Sequence, residues 1–481
     1  MAPMRKIITL HERDRQLATV LRTRDIEKLK SIVEDYQSCG EFTPEFYTCL
    51  YKLCDRQESD DEMIQVMLGC SRLDVNEKQS NGETILHALS RNNHYQWVEH
   101  LIKVFPNIDV NAVCKDMKTP FLLAAEYGHI KVLEVLDPIV EDISCCDIKQ
   151  FSVLHWMARH GSLKWVKYLI EEKAFEVDQR NAYGDTPLNR AIAFGQYECC
   201  QYLLEMGANV LEIDMEGRSL LHTAVFGGHL GCCNAVLKYL KEYSYVYVNL
   251  KDNKGKTALN WAAGKGYKEL VICLLEAKAD VNYKEPDGRT ALVGASMGGY
   301  EDIIKLLIDA NANIDVYDGD KKYQPLTRAA SNEHMGTVQI LLDAGANVNI
   351  TDDLGMTALD WASSKDHEEM VYYLLQRENI DVNSRGNLGN TPLMRAAKRG
   401  NVKILRALIE ANACVDLQNS TGDTALILAV IRRDLSCVVE LVKNNAKLDL
   451  KNYKGETALM ISKKFSWNRN ITEVLQDAGA I

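Results

Sequence analysis

The sequence predicts an all-α solenoid: stacked helix-turn-helix units joined by β-hairpin-like finger loops and wound into a curved superhelix. A phrase that opens on Thr, Ser or once Gln, runs on most often as Pro-Leu or Ala-Leu and carries the Leu in eleven copies, recurs twelve times. Its anchors are Thr84, Thr119, Ser152, Thr186, Ser219, Thr257, Thr290, Gln324, Thr357, Thr391, Thr424 and Thr457. The intervals run from 33 to 38 residues, the period of a repeat array. Every stretch long enough for a separate domain is already taken up by these units. Length alone, 481 residues, would suggest about three domains; the repeat replaces that estimate with one array over 75–481 and a segment 1–74 before it.

Each unit is built the same way. A Gly two residues before the anchor, as at Gly82, Gly184, Gly255 and Gly422, suits a turn with positive φ. The anchor hydroxyl is a helix N-cap, and Pro120, Pro187, Pro325 and Pro392 stand at the first helical position, where a missing N–H costs nothing. Leu and then Ala follow, as in Leu259 and Ala262, giving a small face on which neighbouring helices approach closely. A second helix carries aliphatic residues at helical spacing, for example Leu270, Val271, Leu274 and Leu275. A Gly-Ala-Asn-Val-Asn turn such as 345–349 closes the unit.

These units resemble ankyrin repeats. The stretch Asp-Asn-Lys-Gly-Lys-Thr-Ala-Leu-Asn-Trp-Ala-Ala at 252–263 matches that family closely, and the twelve copies cover about 85% of the chain. Departures are local. Met117, Gln150 and Lys322 replace the turn Gly, which predicts reshaped fingers, and the eighth unit also loses its capping hydroxyl to Gln324. The 38-residue interval adds a Tyr-rich insertion, 239–248, expected as a longer second helix or loop. In 1–74, Leu17, Leu21, Ile26, Leu29, Ile32 and Val33, then Phe46, Leu50, Leu53, Ile64 and Met67, predict two further amphipathic helix pairs, degenerate repeats capping the array. At the other end Phe465 and Trp467 break the pattern, and the chain stops within a last turn, either a cap or a boundary.

Composition narrows the function. With 56 Lys and Arg against 67 Asp and Glu the formal charge is −11, so no nucleic-acid partner is expected. The fourteen Cys follow no disulfide framework, the N-terminus lacks a signal-peptide core, and no apolar run reaches the length of a membrane span. These features predict a cytoplasmic chain with reduced thiols. No His-Glu-x-x-His, Cys-x-x-Cys, P-loop, dinucleotide-binding Gly turn or kinase signature occurs, so neither catalytic residues nor a cofactor or metal is expected. The pairs Cys199/Cys200 and Cys232/Cys233 are expected as buried packing. His87, His155 and His222, each three after its anchor, are expected to bond the turn backbone, as the resemblance implies.

The resemblance also implies a curved stack whose fingers and first helices grip other proteins on a concave face. Four residues after the anchor stand Trp156, Arg190, Trp261, Arg328, Trp361 and Arg395, of types enriched at binding hot spots; packing on the next helix is the competing role for each Trp. Later units carry Lys365, then Lys398 and Arg399, then Arg432 and Arg433, then Lys463 and Lys464. Repetition predicts one basic stripe there, suited to an acidic or phosphorylated segment at repeats 9–12; a solvated face balanced by Asp366 and Asp434 is the alternative. Earlier units offer Tyr127, Phe194 and Phe226 instead, for an apolar anchor or for packing. Asn282, Asn349 and Asn383, each eight after a Leu, are similar to asparagines hydroxylated in this family; bonding of the loop backbone accounts for them equally.

The expected function is therefore a non-catalytic interaction scaffold or adaptor. The alternatives are the regulatory ankyrin region of a larger membrane protein such as a cation channel, or the substrate-recognition subunit of a ubiquitin ligase.

Overall fold

The computed structural model describes residues 10–56, 60–70, 72–240, 244–315, 324–464 and 469–481. Among the described residues all the extended regular elements are α-helices. They fall into two compact units, Met1–Met215 with Asn234–Tyr239, and Glu216–Cys233 with Leu240–Ile481.

The first unit opens with the two expected helix pairs, Leu10–Thr23 with Ile26–Cys39 and Pro44–Cys54 with Asp61–Leu68. Leu17, Leu29, Phe46, Leu50, Ile64 and Met67 are fully buried between them, while Ile26 is only half-buried. Thr43 caps the third helix by accepting the Phe46 N–H, with Pro44 at the first helical position. Four repeats follow, their first helices being Ile85–Arg91, Pro120–Tyr127, Val153–His160 and Pro187–Ala193. Ala88, Ala124, Ala158 and Ala191 are fully buried, which is what lets consecutive first helices pack closely.

Two of these repeats are tied to the next one through histidine. The His87 Nδ1 accepts the Thr84 backbone N–H (3.1 Å), so its Nε2 carries the proton and donates to the Lys118 carbonyl (3.1 Å) of the following finger. His155 bridges Ser152 and the Asp185 carbonyl in the same way. Burial pushes both imidazoles down to about 4, so they are neutral near pH 7. These are the backbone-bonding roles the sequence predicts for them.

The fingers of repeats 2 and 3 are not reshaped. Met117 and Gln150 take φ of 59° and 61° where other units place Gly, and Met117 N–H still bonds the Cys114 carbonyl as Gly184 N–H bonds that of Asn181. The left-handed conformation costs a non-Gly residue roughly 1 kcal/mol, less than losing the finger's hydrogen bonds. At Gly422 the requirement is stricter: φ is +77°, and a Cβ there would lie 2.7 Å from the Tyr453 nitrogen.

The second unit holds the remaining first helices: Leu220–Gly227, Ala258–Lys265, Ala291–Gly298, Pro325–Ser331, Ala358–Lys365, Pro392–Arg399, Ala425–Arg432 and Ala458–Lys463. Thr257, Thr290, Thr357, Thr391, Thr424 and Thr457 each accept the backbone N–H three residues on, whereas Gln324 makes no side-chain cap. The Tyr-rich insertion is more than a longer loop. The second helix runs to Leu240, and Ser244–Val248 forms another, whose buried Tyr247 hydroxyl accepts the Leu220 N–H at 3.2 Å. Residues 241–243 of the insertion, the expected break at Lys322, and Phe465 and Trp467 lie outside the described residues.

None of the fourteen cysteines is in a disulfide, and Cys199, Cys200, Cys232 and Cys233 are buried as packing residues.

Candidate partner-binding surface

A single Asx residue five before the anchor organises six of the fingers, those of Asp147, Asn181, Asp252, Asp352, Asn419 and Asn452. Asp252 Oδ1 accepts the N–H groups of Lys254 and Lys256, both at 2.9 Å, and Asp352 does the same for Leu354 and Met356. The other carboxylate oxygen then receives an indole: Trp261 Nε1 donates to Asp252 at 2.9 Å and Trp361 Nε1 to Asp352 at 2.7 Å. Burial works against the Asp252 carboxylate, but these donors outweigh it and hold its pKa below the usual carboxylate range. Trp261 and Trp361 therefore brace fingers, and each keeps one half-exposed face. The sequence reading missed these aspartates, although their signal is plain: Asp stands nine before Trp in all three Trp-bearing units.

Trp156 departs from that scheme. Its finger residue Asp147 binds the Lys149 and Phe151 N–H groups as expected, but the indole stacks on Phe151 (4.6 Å, 23°) and its Nε1 finds no acceptor. Only 6% of Trp156 is exposed, so the packing role prevails. Around it Arg190 lies over Phe151 (4.7 Å) while pairing with Asp185 (2.7 Å), and Arg159 lies over both Trp156 (5.3 Å) and Phe194 (4.5 Å). Phe194 stays 43% exposed and Tyr127 is exposed as well. In the second unit Phe226 packs on Trp261 (4.7 Å) with Lys265 over its ring (4.6 Å).

The predicted basic residues separate into two sets. Arg395 is committed inside the protein: its Nε donates to Asp360 at 2.9 Å, and Asp360 is 0% exposed. Burial pushes the Asp360 carboxyl above the usual range, opposed by Arg395 and the Thr357 N–H, so the pair depends on its partner. Arg328 faces Asp353 (3.4 Å) and Lys464 pairs with Glu456. For Arg190, Arg328, Arg395 and Lys464 the expected role in binding is thus offset by a carboxylate of the same chain.

The other set faces outward. Lys365, Lys398, Arg399, Arg432, Arg433 and Lys463 are all exposed at the C-terminal ends of the consecutive first helices of repeats 9–12, which pack against one another in sequence. Arg399 Nε donates to the Ser364 carbonyl (2.6 Å) and Arg432 Nε to the Arg399 carbonyl (3.4 Å), so each arginine lies across the end of the preceding helix. That placement also opposes the negative end of the helix dipole. Asp434 caps the following helix by accepting the Cys437 N–H, and Asp366 is a left-handed C-cap.

Asn282, Asn349 and Asn383 join successive turns. Asn349 donates to the Asn379 carbonyl (2.6 Å) and accepts the Asp381 N–H (2.8 Å), and Asn282 repeats the pattern with Asn311 and Asn313. Asn383 accepts the Cys414 N–H at 2.7 Å. Backbone bonding is the role seen.

Comparison with known families agrees with the architecture. A family model of three ankyrin repeats matches in overlapping segments from residue 52 to 452, and the chain belongs to the ankyrin-repeat family. Similar proteins include a putative E3 ubiquitin-protein ligase of Arabidopsis thaliana, 34% identical over 26% of this chain and 29% of that protein. A transient receptor potential cation channel subfamily A member 1 homolog of Caenorhabditis elegans is 28% identical over 42% of this chain and 16% of its own length. The nuclear factor NF-kappa-B p105 subunit of Gallus gallus is 28% identical over 45% and 22%. The chain thus spans less than a third of each of these relatives. Its general role is protein–protein interaction, the role of this repeat. Among the described residues no helix is long and apolar enough to cross a membrane.

Proposed function

We propose that the chain is a non-catalytic intracellular scaffold or adaptor that binds an acidic protein segment on the first-helix face of repeats 9–12. The observation that carries this is the set of exposed cations on four consecutive helices, Lys365, Lys398, Arg399, Arg432 and Lys463, none of them paired with a carboxylate among the described residues. Exposed cations without internal partners keep their full attraction for an incoming anion, and that attraction steers association as well as adding affinity. The half-exposed Trp361 lies on the same helix as Lys365 and adds an anchor of the hot-spot type.

The test is affinity capture from cell extract by the intact chain and by a Lys398→Glu, Arg399→Glu, Arg432→Glu, Arg433→Glu variant of matching thermal midpoint. Loss of a discrete set of partners bearing acidic segments is the expected result. An unchanged set makes the stripe a solvated face. A second reading, the interaction region of a larger membrane or ligase protein, draws on the small share of its relatives that the chain covers. A longer transcript encoding further domains would establish it.

A further inference from the structure

The spacing of the stripe specifies the form of its partner. This rests on the acidic-segment reading above. The cations come one set per repeat, from helices ending at Lys365, Arg399, Arg432 and Lys463 that pack in sequence. Packed helices lie about 9 Å apart, and an extended chain in the polyproline II form advances about 9 Å in three residues and returns every third side chain to the same face. From this match we infer that repeats 9–12 hold an extended segment of about ten residues running along the stack, with a carboxylate on every third residue.

Two observations favour an extended chain over a bound helix. A helix laid along the stack would need an apolar row beside the cations, yet on these four first helices the exposed large apolar side chains are Ile431 and Met460 alone, both in the last two repeats. The arginines are also held in place by their predecessors: Arg399 and Arg432 use Nε on main-chain carbonyls one repeat back. Each leaves its two terminal nitrogens for an incoming anion, one two-pronged donor in each of repeats 10 and 11, while Lys365 and Lys463 supply single ammonium groups in repeats 9 and 12. One such edge matches the two oxygens of a carboxylate and can take a phosphoryl group as well, but a phosphoryl group carries close to two charges, which the single Lys365 and Lys463 of the outer repeats do not balance, whereas one carboxylate is balanced by each. Asp and Glu are therefore the assigned acids.

The test uses the full chain and three labelled 13-residue peptides in fluorescence anisotropy. One carries Asp at every third position, one the same four Asp in a single run, and one phosphoserine at every third position. The spaced Asp peptide is expected to bind about tenfold tighter than the run, because each exposed pair adds only a little. A Lys365→Glu, Lys398→Glu, Lys463→Glu variant, which alters only exposed side chains with no hydrogen bond or ion pair among the described residues, is expected to abolish that preference. Equal binding of the spaced and bunched peptides overturns the extended register while leaving the acidic-segment reading intact. If neither Asp peptide binds better than a neutral control, that reading falls as well. A phosphoserine peptide that outbinds the Asp peptide by more than tenfold overturns the choice of carboxylates.

Discussion

The two units share one kind of histidine bridge but otherwise put different chemistry at the same repeat positions. Three residues after the anchor, the first unit places the neutral imidazoles of His87 and His155, each bridging a cap to the next finger. At that position the second unit repeats the bridge once, with His222 between the Ser219 N–H and the Lys256 carbonyl, and elsewhere places Asp360, a buried carboxylate paired with Arg395. Four after the anchor, Trp156 stacks on Phe151 with its N–H unanswered, while Trp261 and Trp361 give theirs to finger aspartates. A repeat backbone therefore does not fix the role of a side chain; the residue it meets in the neighbouring finger does.

The largest expected effect breaks the ion pair. Arg395→Ala leaves the fully buried Asp360 without its counter-charge and should cost about 3–5 kcal/mol, seen as a lower urea midpoint. A loss below 1 kcal/mol would mean that water or rearrangement replaces the arginine.

Acid is the next lever, and it acts on the histidine-bridged repeats. The folded pKa of His87 and His155, about 4, lies below the unfolded value near 6.5, so the unfolded chain takes up protons first. Their contribution is complete above pH 6.5 and is lost between 6.5 and 4, by up to about 3 kcal/mol for each. His155→Gln keeps a capping side chain but does not titrate, so its urea midpoint should fall less steeply between pH 7 and 4.5. A slope equal to wild type would place the acid sensitivity elsewhere.

A smaller difference separates the tryptophans. Trp361→Phe orphans one Asp352 oxygen and should cost about 1–2 kcal/mol, whereas Trp156→Phe removes an N–H that has no acceptor and should cost clearly less. Equal losses would show that packing area alone matters at this position.

The smallest effect concerns the uncapped helix Pro325–Ser331. Its amides should exchange through openings about 1 kcal/mol easier than those of Ala358–Lys365, which Thr357 caps. Uniform protection across the two helices would show that the buried Gln324 replaces the cap by other contacts.

Much of the fold is legible in the chain because its signals are local. Thr and Ser anchors, Pro at the first helical turn and the small Ala face each act within a few residues, so the helices fall where the spacing puts them. The N-terminal pairs are legible for the same reason, through helical spacing of Leu29, Ile32, Phe46 and Leu50. Met117 and Gln150 misled because the absence of Gly speaks only to cost, and the finger's hydrogen bonds outweigh it. The candidate surface was half legible: sequence placed all the cations, but not which ones are already paired.

The amino-acid sequence by itself determined that this protein is an ankyrin stack, where each helix begins, and that exposed cations gather in its last repeats. Those facts follow from short-range backbone preferences and from a period that aligns equivalent positions. Tertiary structure alone decided that Arg395, Arg328 and Lys464 are spent on carboxylates while Lys365, Lys398 and Lys463 are not. Of these pairs, Arg395 and Arg328 meet partners 35 and 25 residues away. Whether such a charge is free or neutralised depends on contacts between repeats, which no local pattern encodes.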